Sequence, residues 1–212
     1  DAGGSAITLN QLAVTGAVAV VTHTTGNATL VNAADLDLGA STVGGALAAT
    51  ATTGGISDSG ILAITGASVF TTTEDVQSII LDADNAFGNA VTYKSTNGGG
   101  TFNDVSFRDT GAVAIHTEGT GDTHFFIDAA EDGAVGGSLT VLSKTGTITQ
   151  GLANTVTGAS SFTTLGTDVN IVLSQTNALA GAVSLTTTGT TGDATLDNGT
   201  TPLNLGVSTV RG

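Results

Sequence analysis

Val43-Gly44-Gly45-Ala46-Leu47 returns 92 positions later as Val135-Gly136-Gly137-Ser138-Leu139, and Thr65-Gly66-Ala67-Ser68-Val69-Phe70-Thr71-Thr72 returns at the same offset as Thr157-Gly158-Ala159-Ser160-Ser161-Phe162-Thr163-Thr164. Ile56 and Ile148, Ile64 and Val156, Asn85-Ala86 and Asn177-Ala178, and Ala90-Val91 and Ala182-Val183 keep that offset. A one-residue slip sets Asp75-Val76 against Asp168-Val169. A fixed internal period is the mark of a repeat architecture, in which one unit stacks on the next.

The two ends of the chain echo each other as well. Gly26-Asn27-Ala28-Thr29-Leu30 resembles Gly192-Asp193-Ala194-Thr195-Leu196, and Leu36-Asp37-Leu38-Gly39-Ala40-Ser41-Thr42-Val43 resembles Leu203-Asn204-Leu205-Gly206-Val207-Ser208-Thr209-Val210. The repeats are therefore a partial one over 1–42, a full one over 43–134 and another over 135–212. The full repeat is longer than the last by about 17 residues, which fall between Lys94 and Gly133; a solenoid absorbs such a difference as one extra coil, which a closed core does not.

Within the repeats, short apolar alternations mark strands. Val76, Ser78 and Ile80 alternate with Gln77 and Ile79; Val91 and Tyr93, Val105 and Phe107, Val113 and Ile115, and Leu203 and Leu205 alternate likewise. Period-two patterning puts one face of each strand in a core, and the Gly, Asn, Asp and Thr between them supply turns. The pattern predicts an all-β chain, a single right-handed parallel β-helix over 1–212. At about 20 residues per coil, about ten coils would make a rod near 50 Å long. Leu47, Leu139, Ile56, Ile148, Ile64, Val156, Phe70 and Phe162 should point inward and stack as like residues along the axis, with Asn85 and Asn177 at corners. The alternative fold is a tandem pair of immunoglobulin-like bacterial repeats, also near 90 residues long.

Composition agrees. Only 4 Lys and Arg stand among 212 residues, too few for long helices, while Gly reaches 31 and Val, Thr, Ala and Ser abound. A net charge of −14 argues against nucleic acid and anionic membrane surfaces as partners. No apolar run approaches the ~20 residues of a membrane span, and the lack of Cys removes disulfide and thiolate chemistry together.

The stretches Gly-Ile-Ser-Asp-Ser-Gly-Ile-Leu-Ala-Ile-Thr-Gly (55–66), Asn85-Ala86-Phe87-Gly88-Asn89-Ala90-Val91 and Leu36-Asp37-Leu38-Gly39 resemble the β-helical repeats of filamentous haemagglutinin-like large exoproteins and related bacterial adhesins. That resemblance implies secretion, display at the cell surface, and adhesion or matrix building. The amino-terminal secretion domain of such exoproteins is not evident.

No residue cluster announces a reaction, and the reading assigns no catalytic, cofactor-binding or metal-binding residue. Gly98-Gly99-Gly100 precedes Thr101-Phe102 with no Lys to reach a phosphate, and reads as a turn; His23 reads as surface. Polar residues concentrate only near the surplus segment, as Lys94, Asp104, Arg108, Asp109, His116, Glu118, Asp122, His124, Asp128, Glu131 and Asp132. A polysaccharide-degrading enzyme on a β-helix would use such a set, with Arg108 and His116 on neighbouring strands; a solvated insertion is the preferred reading. Calcium is the other possibility, at Asp82-Ala83-Asp84-Asn85, at Asp35 and Asp37, or at Asp128, Glu131 and Asp132. None of these matches a known calcium loop, and turn acids are preferred. Asn27-Ala28-Thr29 and Asn198-Gly199-Thr200 are formal glycosylation sequons. The expected protein is a non-enzymatic extracellular rod. Because the chain opens inside a repeat at Asp1 and stops near the opening of another at Val210-Arg211-Gly212, such rods are expected either to stack end to end into a filament or to be one length of a longer adhesin.

Overall fold

The computed structural model describes residues 4–96, 101–115, 123–128 and 134–212. Every paired strand is parallel to its neighbour, and two long sheets face each other. The first sheet runs in the order β1 (Ile7–Leu12), β2 (Ala28–Asn32), β5 (Leu47–Ala51), β8 (Ser68–Thr72), β10 (Val91–Ser95), β13 (Thr123–Asp128), β12 (Val113–Ile115), β16 (Ile148–Gln150), β19 (Ile171–Leu173) and β22 (Ala194–Leu196). The second runs β3 (Leu36–Leu38), β6 (Ile56–Asp58), β9 (Ile79–Phe87), β11 (Val105–Asp109), β15 (Leu139–Ser143), β18 (Ser160–Thr167), β21 (Ala182–Thr188) and β23 (Asn204–Leu205). Parallel pairing between successive turns of one chain is the defining geometry of a β-solenoid, and it excludes the antiparallel sandwich of immunoglobulin-like repeats.

A short third face completes the cross-section. In the first half it follows the second sheet, as β4 (Ser41–Val43), β7 (Leu62–Ile64) and the end of β9. In the second half it precedes that sheet, as β14 (Ala134–Val135), β17 (Thr155–Val156) and β20 (Ala178–Leu179). Register partners such as Ala28 and Leu47, Ser68 and Val91, and Ile148 and Ile171 mark successive coils. The coils differ in length, and the one from Ile79 to Val105 is longer than the one from Ala28 to Leu47. The eight strands of the second sheet correspond to about eight coils, fewer and longer than the ten expected. Bulges in β9 and β18 and the added third face lengthen each turn.

All eight residues expected inside are buried, Phe70 and Phe162 at 0% and 1% exposure. They do not form one column, however. Leu47 lies on β5 in the first sheet, and Leu139 lies on β15 in the second; Ile56 and Ile148 are exchanged the other way. From β5 to β15 the chain advances three and a half coils, so one copy of the repeat is turned half a revolution from the other. The echoes at the chain ends follow the same rule. Ala28 and Ala194 are seven coils apart and share the first sheet, and Leu38 and Leu205 share the second.

The surplus residues add a strand rather than a coil. β11 pairs directly with β15 in the second sheet, while the first sheet carries both β13 and β12 in reversed order. The widened interior at this level is filled by rings. Phe107 stacks on Phe125 with centroids 4.3 Å apart and on Phe87 at 5.6 Å, and Tyr93 meets Phe70, Phe107 and Phe125 edge to face. Close packing requires that an added strand be matched by added side-chain volume, and Phe125 and Ile127 of β13, both buried, bring part of it.

The strand expected through Val76 begins only at Ile79. Val76 is 60% exposed and has φ of +58°, in the left-handed region, as has Asp168 at +59°, one repeat away without the slip. A β-branched residue is strained there, whereas Asn and Asp tolerate it. Val76→Asn should raise stability by about 1 kcal/mol, a shift of roughly 2–4 °C in Tm for a chain of this size; an unchanged or lower Tm by calorimetry would refute that strain.

Candidate functional site: the charged central coils

Corner acids and amides bond from one coil to the next. Asp35 Oδ1 accepts from Gly55 N at 2.9 Å, the Asp37 carboxylate accepts from Ser59 N and Oγ at 2.9 Å each, and Asp104 Oδ1 accepts from Ser138 N at 2.7 Å. Asp168 accepts from Thr190 N and Thr191 N, and those bonds hold its carboxyl below the usual range. Much of the acidity is thus spent as acceptors for backbone N–H groups at corners, which parallel strands leave turned toward the neighbouring coil.

Buried polar side chains repeat the same logic inside. Asn32 Oδ1 accepts from Val14 N, and Nδ2 donates to Val14 O and to Asp35 O; Asn198 does the same with Leu179 N, Leu179 O and Thr201 O. Ser41 and Ser208 likewise match, accepting from Val20 N and Leu185 N and donating to Gly39 O and Gly206 O. Ser41 and Ser208 fall within the Leu36–Val43 echo read in the sequence, whereas Asn32 and Asn198 lie just past the Gly26–Leu30 echo and were missed. Asn198 of the second sequon is itself buried and engaged, and Asn27 Oδ1 accepts from Ala46 N at 2.8 Å.

Asn85 and Asn177 sit at corners as expected and are buried. Asn85 accepts from Leu62 N at 2.8 Å and donates to Asp58 Oδ2 at 2.7 Å. Burial pushes the Asp58 carboxyl above its ordinary value, against the bonds it accepts from Asn85, Asp82 N and Ala83 N. In the second copy a neutral Gln150 takes this place and exchanges amide hydrogen bonds with Asn177. Asn154, the counterpart of the fully buried Leu62, is 1% exposed with neither side-chain polar atom bonded. Asn154→Leu should therefore stabilise the fold by about 1–2 kcal/mol, since an unbonded buried amide carries its whole desolvation cost; urea titration reads the change, and a loss of stability would show the amide to be satisfied.

Charge gathers on the second sheet around Asp84. Lys144 Nζ contacts Asp84 Oδ2 at 2.6 Å, and the Arg108 guanidinium contacts Oδ1. Lys144 foremost and Arg108 beside it hold the Asp84 carboxyl below the usual range. On the first sheet Lys94 pairs with Asp128 at 3.2 Å. Arg108 lies on β11, whose partners are β9 and β15, so no strand neighbouring it carries the 113–128 segment. His116, Glu118, Asp122, Glu131, Asp132 and Gly98–Gly100 lie outside the described residues. Among the described residues no group of three or more acids and histidines could hold a metal ion.

A groove of about 360 Å³ opens where the first-half third face ends, between Ile64, Phe87, Gly88 and Asp109. Asp109 is 1% exposed, and accepts from Phe87 N and Gly111 N at 3.0 Å each. It closes the free edge of that face by supplying the acceptor a further strand would provide.

A family model described as repeats of unknown function matches residues 25–94 and 103–186. The two matches end 92 residues apart, which is the period read in the sequence. No curated protein and no solved structure matches the chain.

Proposed function

Since the chain belongs to the DUF5649 family, repeats of unknown function, its role must be sought in its surface, and we propose that it is a non-enzymatic structural rod, extracellular and adhesive, that continues coil upon coil as a filament or within a long surface adhesin. One observation carries the reading. Leu36, Leu38 and Val43 are at 0%, 1% and 0% exposure beneath a following coil, and the same pattern recurs as Leu203, Leu205 and Val210. Each coil of the repeat is thus built to be covered by the next, parallel strand on parallel strand. Each contact of this kind is head to tail and does not close, so repetition yields a filament.

The side surfaces suit contact rather than chemistry. The outward rank Thr8, Thr29, Ala48, Val69 and Thr92 crosses five strands of the first sheet without a charge. Arg108 and Lys144, the cations an acid-base site would use, are both committed to Asp84.

Sedimentation of the 212-residue chain tests assembly. Concentration-dependent oligomers are expected, and Leu205→Asp should return them to monomer. A chain that stays monomeric at millimolar concentration, with or without that change, would overturn end-to-end assembly. Depolymerisation of an acidic polysaccharide by the purified chain, abolished by Arg108→Ala, would overturn the non-enzymatic reading.

A further inference from the structure

We propose that β12 and β13 are alternative occupants of one position in the first sheet, and that β12 is a releasable strand whose departure leaves the solenoid intact. The second sheet crosses this level in a single step, from β11 to β15, where the first takes two. Either strand alone would complete an ordinary coil. β12 placed directly beside β10 in its present register would set Val91 against Ile115, at the same separation along the chain as the observed pair Asn85 and Asp109 between β9 and β11. β13 placed directly beside β16 in its present register would set Phe125 against Gln150, a separation between those of the observed pairs Asn85 with Asp109 and Ile79 with Val105. Two segments therefore fit one rung, and the sheet holds both.

β12 is the occupant held less firmly. It has three residues, with Val113 and Ile115 as its large apolar side chains. β13 has six, packs Phe125 on Phe107 and Tyr93, buries Ile127, and ties Asp128 to Lys94. The next strand in the chain after β13 is β14 on the third face, as a regular coil requires. With β12 out, residues 110–122 would link β11 to β13. At about 3.3 Å per residue that segment spans the roughly 10 Å between facing sheets several times over, so nothing in the chain's length opposes release.

Engineered thiols distinguish the arrangements, because the chain has no cysteine of its own. Ala114 and Thr149 are register partners across β12 and β16, so Ala114→Cys with Thr149→Cys should form a disulfide with β12 in place. His124→Cys with Thr149→Cys, and Phe126→Cys with Thr149→Cys, join strands that β12 now separates, beyond the roughly 7 Å limit for a bridge. One of these two pairs should nevertheless cross-link in native buffer, more slowly than the first, with the β-sheet circular dichroism retained. If both stay reduced until denaturant unfolds the whole chain, the proposal fails. Hydrogen exchange on the unaltered chain gives an independent reading: amides of 113–115 should exchange about 100-fold faster than those of 91–95 and 148–150, as a local opening does. Equal protection across the three segments would overturn release.

Discussion

Phe107→Ala is expected to destabilise the solenoid by about 3–5 kcal/mol, the usual loss when a large buried ring becomes a cavity. Three other rings touch it: Phe125 and Phe87 in stacked arrangement and Tyr93 edge-on. Parallel strands held in register by backbone bonds on both sides cannot close in on the void, so the loss should fall toward the upper part of that range. Phe107 is also the ring on which Phe125 rests, and Phe125 holds β13 against the core. A denaturant titration should show the midpoint falling steeply. Phe162→Ala removes a ring equally buried but outside that cluster, and should cost less. Equal losses at the two positions would mean that stacking adds nothing beyond buried area.

Gly158→Ala should be as damaging for the opposite reason. Gly137, Gly158 and Gly181 stand one above another at a corner, with Gly158 N donating to Gly137 O at 2.8 Å. A Cβ on Gly158 would lie 2.4 Å from that carbonyl oxygen, and one on Gly181 would lie 2.1 Å from Gly158 O. The obstacle is backbone, which cannot rotate aside, so the coils must part. Overpacking of this sort costs about 1–3 kcal/mol and more where nothing can shift, and here the interrupted corner also loses hydrogen bonds. By contrast Gly16 has nothing within 4 Å of its Cβ position, so Gly16→Ala should leave the unfolding midpoint within experimental error of the parent. A Gly158→Ala chain as stable as the parent would show that the corner is softer than its spacing implies.

The repeat was legible because the positions that build it are local. Leu47, Ile56, Ile64 and Phe70 recur with their flanking glycines, and each strand and corner needs only those few residues. The half-revolution between copies was not legible, because a strand's own sequence is the same whichever side of the rod it lies on. The side is decided by counting coils, and the surplus before Gly133 alters the residues per coil without altering their number. Val76 was misread because alternation with Ser78 and Ile80 resembles a strand; Asp168 at the equivalent place, a residue suited to left-handed backbone, was the available signal. At the charged coils, Arg108 and Lys94 were visible as unusual cations in an acidic chain. Their partners Asp84 and Asp128 lie on strands adjacent in space but separated in sequence, which only the register reveals. Asp58 was not singled out, because its buried partner Asn85 lies a whole coil later.

The half-revolution also bears on recognition. Two sequence copies related by rotation about the rod, together with an advance of three and a half coils, approximate a twofold screw. Any surface feature written into the repeat is displayed on opposite flanks, about 17 Å apart along the axis at the usual spacing between strands. A partner that recognises such a feature meets it facing away in two directions and cannot bind both with one compact domain. Under the adhesive role proposed above, the rod would bridge two separate partners, and lengthening it by further repeats would multiply cross-links on both sides in place of one adhesive stripe.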